Sequence, residues 1–109
     1  MKPLTMTVEQ QVLWVVVRLS GELDRVSQAA LAARLSGLVR AAEQPRICVD
    51  LSGLDFCDSS GVACLLRGWQ AARERGGALV LLGPGVRLAH KLMVSGLAAL
   101  LTMIDELPR

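Results

Sequence analysis

Residues 47–82 read ICVDLSGLDFCDSSGVACLLRGWQAARERGGALVLL, and this pattern predicts a strand, a helix and a second strand. The apolar runs 47–51 and 78–82 have the length and composition of strands that are buried on both faces. Between them, from Ser59 onward, apolar residues recur with helical spacing at Val62, Leu65, Leu66, Trp69 and Ala72. Gly76-Gly77 ends this helix, since glycine tolerates positive φ. A βαβ unit of this length predicts two parallel strands joined by a right-handed crossover.

The segment before this unit adds a hairpin and a helix. Residues 6–9 and 12–19 are rich in strand-forming residues and predict an antiparallel pair of strands with a turn at 10–11. A helix follows, and either Asp24 or Ser27 is suited to cap its N-terminus. Its predicted buried face consists of Leu31, Leu35, Leu38, Val39 and Ala42.

The remaining segments complete an α/β pattern. Residues 52–55 predict a polar turn after the first buried strand, and residues 56–58 a loop. Beyond the βαβ unit we expect a last strand within residues 100–104, preceded by a third helix with the apolar face Val86, Ala89, Leu92 and Met93. The expected fold is an N-terminal hairpin followed by βαβαβ-type units. It forms one domain over residues 1–109, a mixed, mostly parallel sheet packed by three or four helices.

Composition narrows the function classes. Apolar residues make up 52% of the 109 residues and charged residues 20%, which is typical of a folded globular domain. The net charge of +2 is far from the dense positive field of a nucleic-acid binder. The longest apolar run, 12–17, is far shorter than the roughly 20 residues that span a bilayer, so we expect no membrane insertion. The N-terminus lacks the pattern of a secretory signal, and we expect a cytoplasmic protein.

The cysteines predict neither a disulfide framework nor a zinc site. Cys48, Cys57 and Cys64 are odd in number and contain no Cys-x-x-Cys pair. We therefore expect buried, inert thiols. Cys57 is the one candidate for oxidation, because a neighbouring helix N-terminus lowers the pKa of a thiol.

Catalytic groups are scarce in the sequence. The single histidine, His90, lies within an apolar helical pattern, and no Gly-x-Ser-x-Gly motif accompanies Ser59 or Ser60. Gly83-Pro84-Gly85 lacks the lysine of a phosphate-binding loop and predicts a turn. We expect a protein that is not an enzyme and holds no metal or cofactor.

Asp58-Ser59-Ser60-Gly61 is the segment that most deserves a functional interpretation. It lies where the chain after a parallel strand enters a helix, which is the usual side for ligands and partners in such sheets. Aspartate and serine are favoured N-cap residues, so the segment is explained by helix capping alone. Two hydroxyls beside an acid at an exposed helix start also form an accessible target for a kinase. The residues are compatible with both interpretations, helix capping and a kinase target.

Residues 49–61, VDLSGLDFCDSSG, resemble the signature of STAS domains, specifically of bacterial anti-sigma factor antagonists. The resemblance extends to Gly21-Glu22-Leu23-Asp24, to residues 72–77 and to Ser95-Gly96-Leu97, and it covers nearly the whole chain. It implies a protein whose unphosphorylated form binds an anti-sigma factor that is also a serine kinase, so that the sigma factor is released. The kinase uses ATP and magnesium to phosphorylate the first serine of the motif, Ser59, and a phosphatase reverses this.

The resemblance also implies a set of partner-binding residues, namely Asp24, Asp58, Ser59, Ser60 and Gly61. We expect Asp58 to shape the loop, Ser60 to cap the helix and Gly61 to let a partner's backbone approach. Asp24 matches an acid that the family places near the phosphorylation site, and the role of N-cap for the first helix explains it equally well.

Two other functions compete with this one. A STAS subunit of an ABC-type lipid transport complex binds its ATPase and requires no phosphorylation, and the complete Asp-Ser-Ser-Gly motif favours the phosphorylation switch over it. A small hydrolase or nucleotide-binding protein requires turnover or saturable nucleotide binding by the isolated chain, and we expect neither.

Overall fold

A computed structural model describes residues 2–108. Its strands form one five-stranded sheet in the order β1-β2-β3-β4-β5. The strands are β1 Thr5–Gln11, β2 Trp14–Leu23, β3 Arg46–Cys57, β4 Ala78–Leu82 and β5 Thr102–Ile104. The helices are α1 Gln28–Arg40, α2 Ser59–Glu74 and α3 Val86–Val94, and a 3-10 turn spans Leu97–Ala99.

The sheet is mixed, and its topology confirms the predicted fold class. Strand β1 runs antiparallel to β2, and every later pair of neighbours is parallel. Each strand from β2 to β5 lies beside the preceding one, always toward the same edge of the sheet. Because the crossovers between parallel strands are right-handed, all three helices then lie on the same face. No helix within residues 2–108 is both long and apolar enough to cross a membrane.

The main core lies between this helical layer and the sheet. Leu31 and Leu35 of α1, Leu65 of α2 and Leu92 of α3 are all at most 2% exposed and belong to one cluster with the strand side chains. The opposite face of the sheet has a smaller cluster, made of Trp14, Val16, Cys48 and Leu82. The Arg46 guanidinium lies 5.5 Å from the centroid of the Trp14 ring, so long polar side chains shield this face where no helix covers it.

The hairpin turn differs from its predicted position. The antiparallel pairing is confirmed, but β1 continues through Gln11 and the turn consists of Val12 and Leu13. Val12 has a φ of 50°, which is unusual for a β-branched residue, and is 87% exposed. Turn residues normally identify a hairpin in a sequence, and two aliphatic residues gave no such signal.

Strand β3 is longer than predicted: the expected turn at 52–55 is wrong, and of the expected loop at 56–58 only Asp58 lies outside the strand. It extends through Cys57 because β2 offers a parallel partner along its whole length, up to the pairs Glu22 with Phe56 and Leu23 with Cys57. Gly53 fits this pairing, since a Cβ there would lie 2.7 Å from the carbonyl oxygen of Leu19. The extension brings the ends of β2 and β3 together.

The predicted buried faces are partly correct in all three helices: in α2, Val62, Leu65 and Ala72 are buried, whereas Leu66 and Trp69 are half-buried. In α1, Leu31, Leu35 and Val39 are buried as predicted, whereas Leu38 is half-buried and Ala42 lies beyond the helix end. In α3, the predicted Leu92 is buried and Ala89 half-buried, but Val86 and Met93 are exposed and Leu88 takes their place in the core. The last strand begins at Thr102, two residues after the predicted start at Leu100.

Candidate functional site

The candidate site lies where β2 and β3 end side by side. Leu23 pairs with Cys57, so Asp24 and Asp58 follow their strands at adjacent positions. The backbone N–H of Asp58 donates to the carbonyl of Leu23 over 3.1 Å and continues this connection beyond the strands. The structure thus brings Asp24 next to the segment 58–61, as the sequence predicted.

Asp58 is the N-cap of α2. It has extended backbone angles, and its carboxylate accepts a hydrogen bond from the Gly61 N–H at 3.0 Å. Its carbonyl accepts the first helical hydrogen bond, from the Val62 N–H at 3.1 Å. The prediction that Ser60 caps the helix is wrong, because Ser60 already lies inside the first turn.

Gly61 faces the protein interior rather than a partner. It is buried, and a Cβ at this position would lie 2.7 Å from Cys57 Sγ and 2.8 Å from Leu23 Cγ. Only glycine lets α2 start this close to the ends of β2 and β3. This packing role alone explains the glycine, and the expected approach of a partner's backbone stays a prediction.

Ser59 is the exposed residue of the motif. It is the first residue of α2, while its neighbour Ser60 is half-buried. Within residues 2–108, neither hydroxyl forms a hydrogen bond to another protein group, and the helix start is held by Asp58. The Ser59 hydroxyl is available for chemistry, since the local fold does not use it.

Asp24 organises the turn between β2 and α1. Its carboxylate accepts hydrogen bonds from the N–H groups of Val26 at 3.0 Å and Ser27 at 2.9 Å, and its carbonyl accepts from the Gln28 N–H at 2.8 Å. The hydrogen bond from the Ser27 N–H is the main cause that lowers the pKa of the Asp24 carboxyl below its ordinary value; partial desolvation opposes it. Asp24 thus caps the turn that leads into α1, whose own N-cap is Ser27 without a side-chain cap bond. A partner contact of Asp24 stays a prediction.

Exposed apolar side chains lie close to this site. Val26, in the turn that Asp24 organises, is 88% exposed, and Phe56, two residues before Asp58, is 49% exposed. Exposed aliphatic and aromatic groups beside a polar site are typical of protein contact surfaces. Sequence reasoning missed both residues, because Val26 belongs to no periodic pattern and Phe56 was assigned to a loop.

Lys91 of α3 also reaches the site. Its Nζ donates a hydrogen bond of 2.7 Å to the carbonyl oxygen of Cys57, the last residue of β3. This bond joins α3 to the backbone immediately before Asp58. No sequence pattern points to Lys91, since an exposed lysine on a helix is normally a solvated residue.

Cys57 does not have the reactive environment that its position suggested. It is 8% exposed, and burial raises the pKa of its thiol to about 11, an effect that the nearby Lys91 ammonium only partly offsets. Burial likewise raises the pKa of Cys48 to about 11 and that of Cys64 above its ordinary value. The prediction of buried thiols is confirmed for all three, and the expectation of a lowered Cys57 pKa is wrong.

The groups of an enzymatic site do not converge here. His90 is exposed on α3 and makes no hydrogen bond to Ser59 or Ser60 within residues 2–108. In the same part of the chain, no three His, Cys, Asp or Glu side chains cluster as metal ligands. What this edge of the sheet presents is the accessible hydroxyl of Ser59, next to the exposed apolar side chains of Val26 and Phe56.

Known proteins share this fold. A family model described as Mlab, STAS domain matches residues 6–103. An anti-sigma F factor antagonist of Lysinibacillus sphaericus is 34% identical over 83 residues, which are 76% of this chain and 71% of that protein. The solved anti-sigma factor antagonist SpoIIAA in its unphosphorylated form has a TM-score of 0.76 at 25% identity, covering 94% of this chain and 90% of that one.

A second solved structure is similar to the same extent. The Bacillus cell fate determinant SpoIIAA in its phosphorylated form has a TM-score of 0.76 at 28% identity, covering 94% of this chain and 92% of that one. The resemblance inferred from the residues is therefore confirmed, because the family model spans most of the chain. The chain belongs to the STAS domain family.

Proposed function

We propose that this protein is an anti-sigma factor antagonist whose activity is switched off by phosphorylation of Ser59. The unphosphorylated protein binds an anti-sigma factor, which then releases its sigma factor. The anti-sigma factor is also a serine kinase and supplies the ATP and magnesium chemistry. A phosphatase removes the phosphate and restores binding. The exchange takes place in the cytoplasm, and the chain itself acts as a binding protein and phosphoacceptor.

The observation that carries this proposal is that different residues of Asp58-Ser59-Ser60-Gly61 hold the helix start and expose a hydroxyl. Asp58 caps α2 through its bond to the Gly61 N–H, and Gly61 packs against the strand ends. Ser59 is exposed and takes part in neither interaction. A hydroxyl placed this way accepts a phosphate without disturbing the helix start, which is what a reversible switch requires.

The electrostatics of the helix start support an effect on the partner rather than on the fold. A phosphoserine carries about −1.5 to −2 charges and three strong acceptor oxygens. An anion at a helix N-terminus is locally favourable, so a phosphate on Ser59 is compatible with α2. SpoIIAA has been solved in both forms, and this chain is equally similar to each, which supports a fold that does not change on phosphorylation.

The same charge acts differently once a partner covers it. Like or unpaired charge inside an interface weakens binding by about 2–5 kcal/mol. Each ~1.4 kcal/mol corresponds to a tenfold change in affinity. A phosphate on Ser59 is therefore sufficient to dissociate a partner of ordinary affinity that docks over the start of α2.

The direct test is a phosphorylation assay. The purified protein is incubated with ATP, magnesium and each histidine-kinase-like anti-sigma factor encoded in the same genome, and the phosphate is mapped by mass spectrometry. We expect one of these proteins to label Ser59. Ser59→Ala should abolish labelling and still bind, Ser60→Ala should be labelled, and Ser59→Asp should bind more weakly.

Two outcomes would contradict the proposal. Loss of labelling in a folded Ser60→Ala variant alone would assign the acceptor to the wrong serine. Failure of every candidate kinase to bind, together with capture of a transporter ATPase that tolerates Ser59→Asp, would favour the alternative role in an ABC-type lipid transport complex.

A further inference from the structure

A cavity of about 370 Å³ opens beside the candidate site, between the end of β3 and the start of α3. Its volume lies in the range of sites that hold a ligand or an inserted side chain. The residues that define it here are Leu54, Phe56, Val86, Arg87, Leu88 and Lys91.

The cavity has an apolar floor and an apolar rim. Leu88 at its floor is 8% exposed and belongs to the main core. At the rim, Phe56 is 49% exposed and Val86 is 87% exposed. Rim side chains with this exposure have a large apolar area to remove from water when another protein covers them.

The charges around the cavity are mostly positive. Arg87 and Lys91 line it, and within residues 2–108 neither has a carboxylate oxygen within 4.0 Å. The one lining carboxylate, Asp55, is paired with Lys2 at 2.9 Å. Charge complementarity therefore favours an occupant with a carboxylate next to its apolar group.

The cavity is continuous with the surface around Ser59. Phe56 and Cys57 form part of its wall and directly precede Asp58. Lys91 lines the cavity and donates to the Cys57 carbonyl at 2.7 Å, so its side chain contacts both the cavity and the backbone next to the candidate site. A protein that docks over Ser59 and extends toward α3 covers this cavity as well.

We propose that the cavity is a second contact for the anti-sigma factor, filled by an aliphatic or aromatic side chain that a neighbouring aspartate or glutamate flanks. The proposal rests on the function proposed above and specifies the chemistry of the partner's docking segment. The apolar side chain enters between Phe56 and Val86, and the carboxylate pairs with Arg87 or Lys91. Ser59 then controls an interface whose affinity comes largely from elsewhere.

Val86→Asp tests the apolar contact with little risk to the fold. Val86 is the first residue of α3, where an aspartate is favourable for the helix, and its side chain is exposed. Val12→Asp is the matched control: Val12 is also 87% exposed, and it lies at the opposite end of the parallel strands from Ser59. Arg87→Glu tests the charge, with the exposed Arg34→Glu of α1 as its control.

Affinity is measured by titration calorimetry with the anti-sigma factor that phosphorylates Ser59 in the assay above. We expect Val86→Asp and Arg87→Glu each to raise the dissociation constant about tenfold or more, and both controls to stay within about twofold. The effect of Arg87→Glu should shrink at high salt, because an exposed ion pair is screened.

Each result decides between the two proposals. If Ser59→Asp abolishes binding while Val86→Asp and Arg87→Glu bind like their controls, the cavity proposal is overturned and the switch stands. If Val86→Asp or Arg87→Glu unfolds the domain, as circular dichroism would show, Phe56→Ser replaces it, with the same expected loss. If no anti-sigma factor binds the natural protein, both proposals are overturned.

Discussion

The carboxylate of Asp58 accepts the N–H of Gly61 over 3.0 Å, and this single side-chain bond caps α2. We predict that Asp58→Ala lowers the free energy of unfolding by about 1 kcal/mol, the usual contribution of an N-cap, and that Asp58→Asn retains most of it. Urea denaturation followed by circular dichroism measures the difference. Ser60→Ala is the control and should change stability by less than about 0.5 kcal/mol. A larger loss for Ser60→Ala than for Asp58→Ala would show that the capping residue is misassigned.

Gly61 and Gly37 are both helical glycines, and we predict opposite effects when each is changed to alanine. A Cβ at Gly61 would lie 2.7 Å from Cys57 Sγ, whereas nothing lies within 4 Å of a Cβ at Gly37. Gly61→Ala should destabilise the protein by about 1–3 kcal/mol, as overpacking does. Gly37→Ala should stabilise it by about 0.5–1 kcal/mol, because alanine is the better helix former. Thermal unfolding of the two variants compares them directly, and equal effects would refute the packing role of Gly61.

The thiols of Cys48 and Cys57 should be unreactive in the native protein. Burial raises the pKa of each from 9.0 to about 11. This rise in pKa lowers the thiolate fraction near neutral pH about 100-fold, and the thiolate is the reactive form. Labelling with iodoacetamide at pH 8 should therefore be at least about 100-fold slower in the native than in the urea-unfolded protein. Fast native labelling of Cys57, mapped by mass spectrometry, would contradict this.

The same shifts predict the direction of an alkaline effect on stability. A raised folded pKa means that the folded state favours the neutral thiol, so its contribution to stability is complete below pH 9. That contribution is lost as the pH rises from 9 toward about 11. Cys48→Ala should show a smaller loss of unfolding free energy than the natural protein over this interval. An identical pH dependence for both would contradict the assignment.

The hairpin turn offers a simple route to a more stable protein. Val12 has a φ of 50° with its side chain in solvent, and asparagine adopts this backbone region far more readily than valine. We predict that Val12→Asn raises the free energy of unfolding by about 1 kcal/mol. Val26→Asn is the control, because Val26 is 88% exposed and does not have a positive φ. The idea fails if urea denaturation gives the two variants the same stability change.

The βαβ unit was predictable because its signals are local. Residues 78–82 are a continuous apolar run, residues 47–51 are apolar except for Asp50, and Val62, Leu65 and Ala72 repeat with helical spacing and are buried. The position of Asp58-Ser59 at a strand-to-helix junction followed from that pattern, so the location of the candidate site was predictable too.

What could not be predicted depends on contacts between distant segments. Residues 52–55 have the composition of a polar turn, and only pairing with β2 extends the strand through them to Cys57. That extension decides which residue of Asp58-Ser59-Ser60 becomes the cap, since aspartate and serine are both good N-cap residues. The bond from Lys91 to the Cys57 carbonyl joins residues 34 positions apart, and no sequence pattern encodes it.

The start of α2 is held by Asp58, Gly61 and the strand ends, without any help from the Ser59 hydroxyl. Under the function proposed above, a phosphate on Ser59 would therefore control partner binding without removing any contact that the helix start needs. Its removal would require only hydrolysis of one phosphate ester bond, with no refolding step to delay the response.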